Sequence, residues 1–242
     1  MKGNISYSTI GPVQIIGAKQ SIYFDTAAVV RNLDIANLTV TDTTREGIRI
    51  QGDVNGVTVK NFSLKQVAKP TVAPDLPTGI AIHSGTNIQI SDGSASGFQM
   101  VSTGYPNGDG ISAEGGVSNL TISRVTASDN SDGGFDLKYN NTLLYDLTAE
   151  RNFRNYRFWS SVKASTLTSV DAANAHIWAG GSADVVIEKL VVKSTTKAVI
   201  LYVDGAKSVK INACELNVPK GTKLIYKATA SSVVILGPGC AL

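Results

Sequence analysis

Long apolar runs are absent from this sequence. None approaches the ~20 residues that a helix needs to cross a bilayer, so a membrane-spanning helix is not expected. Charge is scarce as well, at 17% of residues beside 23 glycines, a balance that excludes a solvated disordered tail and suits a turn-rich β protein. Prolines number only seven, and three of them, Pro70, Pro74 and Pro77, lie close together. Helical periodicity of useful length is missing throughout. Cysteine is limited to Cys214 and Cys240. Their spacing is about that of one repeat, so they would meet on neighbouring coils either as buried thiols or as a disulfide, and the thiol pair is the expectation.

What is present begins with enough apolar content for one core: 43% of 242 residues. Net charge is +3, but eight lysines and only two acids, Asp204 and Glu215, follow from Lys189 onward, leaving the first 188 residues at −3. A solvated lysine surface accounts for this plainly; steering of a polyanion is the functional alternative. Nucleic acid is not expected as a partner, because arginines and aromatics do not interleave with those lysines.

A short unit recurs, a turn residue followed by alternating apolar and polar positions: Asn55-Gly-Val-Thr-Val-Lys-Asn61, Asn87-Ile-Gln-Ile-Ser91, Asn119-Leu-Thr-Ile-Ser-Arg-Val125, Asp184-Val-Val-Ile-Glu-Lys-Leu190 and Ser208-Val-Lys-Ile-Asn212. Period-two alternation specifies strands. A second, glycine-led unit precedes it, as in Gly47-Ile-Arg-Ile50, Gly79-Ile-Ala-Ile82, Gly110-Ile-Ser-Ala113 and Gly134-Phe-Asp-Leu137. Two short strands per period between glycine and asparagine turns predict an all-β fold, a single-domain right-handed parallel β-helix over residues 1–242 with coils of about 23 residues. A jelly roll or propeller explains neither so short a repeat nor so few hairpin turns. Two intervals are longer, with insertions at 66–78 and 98–108; stacked coils would set these loops side by side as a wall.

Stacking the glycine-led strands in register points Ile48/Ile50, Ile80/Ile82, Ile111/Ala113, Phe135/Leu137, Tyr156/Phe158 and Ala175/Ile177 inward. The outward columns then read Arg49, Ala81, Ser112, Asp136, Arg157, His176 and Gln51, His83, Glu114, Lys138, Trp159, Trp178. Rungs ~4.8 Å apart make these one continuous surface. It carries both histidines and both tryptophans of the chain, and Tyr202 extends the aromatic row. Each histidine alone reads as an ordinary surface residue and each tryptophan as one shielded by a loop. Their convergence with Asp136, Arg157, Glu114 and Lys138 is instead the mixture of a site that binds a polar substrate, with flat rings for sugar faces. Arg49, His83, Glu114, Trp159, Trp178 and Tyr202 are therefore the expected substrate contacts. Beside them lies an acidic knot, Asp109 in Asn107-Gly-Asp-Gly110 and Asp129, Asp132 and Asp136 in Asp129-Asn-Ser-Asp-Gly-Gly-Phe-Asp136. Such a knot either supplies oxygen ligands for Ca²⁺ or only makes turns.

Asn-Gly-Asp-Gly at 107–110, Asn-Ser-Asp-Gly-Gly-Phe-Asp at 130–136 and Asn-Tyr-Arg-Phe-Trp at 155–159 together resemble the pectate lyases of polysaccharide lyase family nine, which are right-handed parallel β-helices; the likeness covers roughly residues 100–180. The resemblance implies Ca²⁺ held by Asp109, Asp132 and Asp136; Gly133 stands where the family has a further aspartate, so Asp129 or a backbone carbonyl would have to complete the set. Arg157 stands where the family has its catalytic lysine. Because guanidinium is a poor base, Lys138 and His176 are kept beside Arg157 as catalytic candidates. The expected function is a polysaccharide lyase that cleaves an acidic, uronate-containing glycan by calcium-assisted β-elimination. Alternatives are a uronate C5-epimerase, a glycoside hydrolase using Asp136 with Glu114, and a non-catalytic glycan-binding β-helix. A lyase of this kind is expected to be secreted or periplasmic, its signal peptide absent from this sequence.

Overall fold

A computed structural model describes residues 1–67, 70–72, 74–101, 104–139 and 141–241. The alternating units become strands because their apolar positions fall on one side of each pleat and face the same positions on the coils above and below. Among the described residues, nineteen strands form one continuous parallel sheet that winds into a right-handed solenoid of about nine turns, a single all-β domain with ~24-residue coils. No helix among the described residues is long and apolar enough to cross a membrane.

Long strands bend at corners and so serve two ladders. The first half of Val29–Thr41 pairs with Asn4–Ile10, and its second half with Val13–Ile16. Corner residues adopt positive φ, and they are largely asparagine and aspartate: Asn32, Asn87 and Asn119 at one corner, Asn61 and Asp92 at another. Short polar side chains tolerate that left-handed conformation at low cost, which explains the Asn- and Asp-rich turns without any ligand.

The third ladder is glycine-led and includes Gln20–Tyr23, Glu46–Ile50, Gly133–Leu137, Arg154–Phe158, Ala175–Gly180, Val199–Asp204 and Ile225–Lys227. Its interior column, Ile48, Ile80, Ile111, Phe135, Tyr156, Ile177 and Leu201, is in register from rung to rung. All seven are 1% exposed or less, each contributing ~1.5–3 kcal/mol by leaving water. Phe135 and Tyr156 stack with ring centroids 5.4 Å apart. The Tyr156 hydroxyl donates inside the core to the carbonyl oxygens of Leu147 and Thr168, at 3.0 and 2.8 Å.

Two expectations are corrected. Cys214 and Cys240 form a disulfide rather than a thiol pair, stapling the last coils together. In Ala175–Gly180 the register differs by two residues from the sequence-based stacking: Ile177 and Ala179, not Ala175 and Ile177, lie over Tyr156 and Phe158.

The two insertions meet. Thr71–Val72 of the first and Met100–Val101 of the second pair as a small parallel sheet of their own, standing beside the solenoid. Residues 68, 69, 73, 102 and 103 of these insertions lie outside the described residues.

Candidate active site

The outward column of the glycine-led ladder reads Arg49, Ala81, Ser112, Asp136, Arg157, Trp178, Tyr202 and Tyr226. Asp136 and Arg157 sit at its centre. Asp109 and Asp132 reach the same place because the turns before these strands are stacked: Asp132 N–H donates to Gly108 O at 2.8 Å, and Arg154 N–H to Asp132 O at 3.0 Å.

Three buried carboxyl groups therefore converge on one guanidinium. Arg157 Nη1 donates to Asp132 Oδ2 at 2.5 Å and lies 3.4 Å from Asp136 Oδ2. Asp136 also accepts from Trp159 Nε1 at 2.7 Å and has Lys138 Nζ at 3.5 Å. Asp132 accepts from the Tyr105 hydroxyl at 2.5 Å, and Arg154 Nη1 donates to that hydroxyl at 2.9 Å. Asp109 Oδ1 accepts the Gly133 N–H at 2.8 Å. Burial, and after it the charges of Asp136 and Asp132, push the Asp109 carboxyl well above the usual carboxylate range. Burial also raises Asp132, with Arg157 opposing. For Arg157 and Lys138 burial favours the neutral form, but the surrounding carboxylates outweigh it and hold both above their ordinary values. The Tyr105 phenol is pushed up to about 12 by burial and by Asp132.

A cleft of about 110 Å³ opens beside this centre. Asp109, Ser112, Glu114, Asp136 and Lys138 form its floor with Glu46, Ala81 and His83, while Leu76 and Asn107, from the two insertions, stand at its wall. Glu114 accepts from Lys138 Nζ at 2.8 Å, and each of these two side chains keeps more than a third of its surface exposed. Burial, then Arg49, lowers His83, against Glu114 and Glu46; its Nε2 has no hydrogen-bond partner among the described residues. Arg49 itself is engaged by Glu46 at 2.8 Å and Gln51 at 2.8 Å. A larger hollow of about 510 Å³, lined by residues that include Asn32, Asp34, Asn87 and Gln89, offers a single carboxyl group, that of Asp34.

Several expected site residues have other roles. His176 is fully buried at the entrance to its strand, where Nδ1 is 2.8 Å from the Ser169 hydroxyl; it belongs to the interior and not to the outer face. Burial depresses it to about 4. Asp129 is a positive-φ corner residue whose carboxylate grips Arg151 on the next coil at 2.7 and 2.9 Å, turned away from the other three aspartates. Trp178 is 5% exposed, its ring 4.4 Å from that of Trp159 and with Arg154 over it, so it supports the site rather than offering a bare sugar platform. A Cβ at Gly180 would fall 2.1 Å from the Trp178 ring, so this close cover requires glycine. Tyr202 is half-buried and in the column as expected, but its ring packs 4.6 Å from Tyr226. Tyr105 and Arg154 were not anticipated. A tyrosine in an insertion has no periodic address; Arg154, three residues before Arg157 on the same rung, could have been inferred.

The carboxyl groups do not fit the calcium set implied by the resemblance. Among the described residues no group of three acidic, histidine or cysteine side chains is disposed to hold a metal ion. A side chain at Gly133, the fourth position of that set, would meet Asp109 Oδ1 at 2.7 Å.

Parallel coils, one apolar interior and an outward face of ionisable groups define the class: a right-handed β-solenoid with a candidate site on one ladder. The chain belongs to the family described as the right-handed beta helix region, whose sequence model matches residues 78–236. No curated protein and no solved structure matches it. The fold is shared by pectate lyases, hydrolases and others, non-enzymes among them.

Proposed function

We propose that this chain is a glycan-cleaving enzyme, a glycoside hydrolase acting on uronate-containing polysaccharide in the cleft beside the two insertions. The observation that carries the reading is the contrast between two carboxyl groups on one cleft. Asp109 is buried, with its pKa pushed well above the usual carboxylate range; Glu114 is solvent-reachable and ion-paired with Lys138. Hydrolysis needs a protonated carboxyl to deliver a proton to the departing glycosidic oxygen and an ionised one to take a proton from the attacking water. Asp109 suits the first role and Glu114 the second. Asp136, expected to pair with Glu114, is engaged by Trp159, Arg157 and Lys138 and orients the site instead. The lysine excess of the last coils favours an acidic glycan. The Cys214–Cys240 bridge favours a secreted or periplasmic setting, where disulfides persist.

Incubation with a panel of acidic and neutral polysaccharides should release reducing ends with saturated termini. Asp109→Asn and Glu114→Gln should each lower kcat by ~10²–10⁴ while substrate binding is kept. Binding without any cleavage across the panel would leave a glycan-binding protein and refute the reading.

β-Elimination is the second reading, and one observation favours it: His83, with a lowered pKa and an unpartnered Nε2, is the base available on the cleft. Arg157, Lys138 and His176 are poorer bases, since the first two are held charged and His176 is interior. Ultraviolet absorbance from unsaturated uronate, lost in His83→Gln, would decide for it; solvent deuterium uptake without cleavage would indicate C5 epimerisation.

A further inference from the structure

We infer that the Arg157 guanidinium is the resident cation of the carboxylate centre, and that this centre balances its charge without a divalent metal. Ca²⁺ demands six to eight oxygen ligands turned toward one point. Here five of the six carboxylate oxygens of Asp109, Asp132 and Asp136 already face protein donors. Asp132 faces Arg157 Nη1 and the Tyr105 hydroxyl, both at 2.5 Å. Asp136 faces Trp159 Nε1 at 2.7 Å, with Arg157 Nη1 and Lys138 Nζ at 3.4 and 3.5 Å. Asp109 Oδ1 faces the Gly133 N–H at 2.8 Å.

The space tells the same story. A Cβ placed on Gly133 would lie 2.7 Å from Asp109 Oδ1 and 3.5 Å from Arg157 Cδ, so the volume a further ligand would project into holds the arginine stem and the Asp109 carboxyl. Arg157 is 8% exposed, and its charge is held inside the protein. A buried guanidinium is stable there only because Asp132 and Asp136 compensate it, and they in turn depend on it. Two carboxylates, Asp132 and Asp136, thus face two cations, Arg157 between them and Lys138 beside Asp136, and a divalent ion would have to displace one of them.

The inference concerns the charge of the centre, whichever bond the site cleaves, and its test needs no substrate. Chelator-treated wild-type protein is titrated with Ca²⁺ by calorimetry and with Tb³⁺ by sensitised luminescence, and its Tm is compared in millimolar Ca²⁺ and in EDTA. The expected result is no binding and no change in Tm. Arg157→Ser should lower Tm, by leaving the carboxylates uncompensated, and millimolar Ca²⁺ should restore part of that loss with Tb³⁺ luminescence appearing. A wild-type Tm raised by several degrees in Ca²⁺ would overturn the inference. So would a folded Arg157→Ser protein that binds neither ion, since the guanidinium would then not be what fills the place. If Arg157→Ser does not fold, the wild-type titration decides alone.

Discussion

Gly133 is where the smallest change should have the largest effect. Alanine there forces a contact of 2.7 Å on Asp109 Oδ1 and removes the room in which that carboxyl accepts the Gly133 N–H. Gly133→Ala should cost ~1–3 kcal/mol in urea unfolding, as overpacking does, and should displace Asp109 enough to reduce turnover. Unchanged unfolding would mean that the carboxyl moves aside freely. Asp129 predicts the opposite. Its pair with Arg151 leaves the two side chains 42% and 50% exposed, so Asp129→Asn should alter stability by less than ~1 kcal/mol and leave activity untouched. Four aspartates in two neighbouring motifs look alike in sequence. Stacking arithmetic was enough to bring Asp109, Asp132 and Asp136 together, because neighbouring coils place the same turn in the same spot. It could not separate Asp129, since a corner aspartate at positive φ and a ligand aspartate are the same letter.

In Ala175–Gly180 the register departs from what the sequence pattern predicts, and the cause is physical. Ala175, Ile177 and Ala179 alternate equally well in either frame, so the pattern alone allowed a two-residue slip; the interior beneath Tyr156 and Phe158 chose Ile177 and Ala179. His176 was thereby moved into a buried polar row, near Asn155, whose Nδ2 donates at 2.7 Å to the same Ser169 hydroxyl that His176 meets. The row continues through Asn152 to Asn130. Unfolded, His176 takes up a proton near 6.5; folded, it does so only near 4. The unfolded chain thus binds more protons across that window, and stability should fall as pH drops through it, by up to about 3 kcal/mol. Chemical denaturation of wild type and His176→Gln between these pH values checks this: the wild type should lose more stability than the variant, and parallel curves would sink the idea. The glycine-led unit was legible as a strand, and its outward column as a surface, for every rung up to Arg157. Tyr105 was not legible, because it reaches Asp132 from an insertion and no repeat spacing reports where an insertion folds back.

At the scale of the whole molecule each coil rests on its neighbours alone, so stability is local. Cys214–Cys240 ties neighbouring coils together; reduction should destabilise these coils by about 3 kcal/mol, from the loop entropy a bridge of this span removes. Hydrogen exchange should then quicken in Val233–Leu236 and in the half of Ser208–Asn217 near Cys214, while Gly133–Leu137 stays protected; uniform acceleration along the chain would contradict coil-by-coil independence. The fold, its parallel coils and the site-bearing ladder were readable from periodicity because a solenoid writes its contacts at nearly constant spacing. The disulfide was not readable, since spacing brings two cysteines together without stating their oxidation. The small sheet joining Thr71–Val72 to Met100–Val101 gives the cleft a property of inheritance. Leu76 and Asn107 border it from loops that hold each other through backbone pairing, although they arise on different coils. Neither loop can then be exchanged alone: a change of specificity by grafting, in the laboratory or in descent, has to carry both insertions across as a unit.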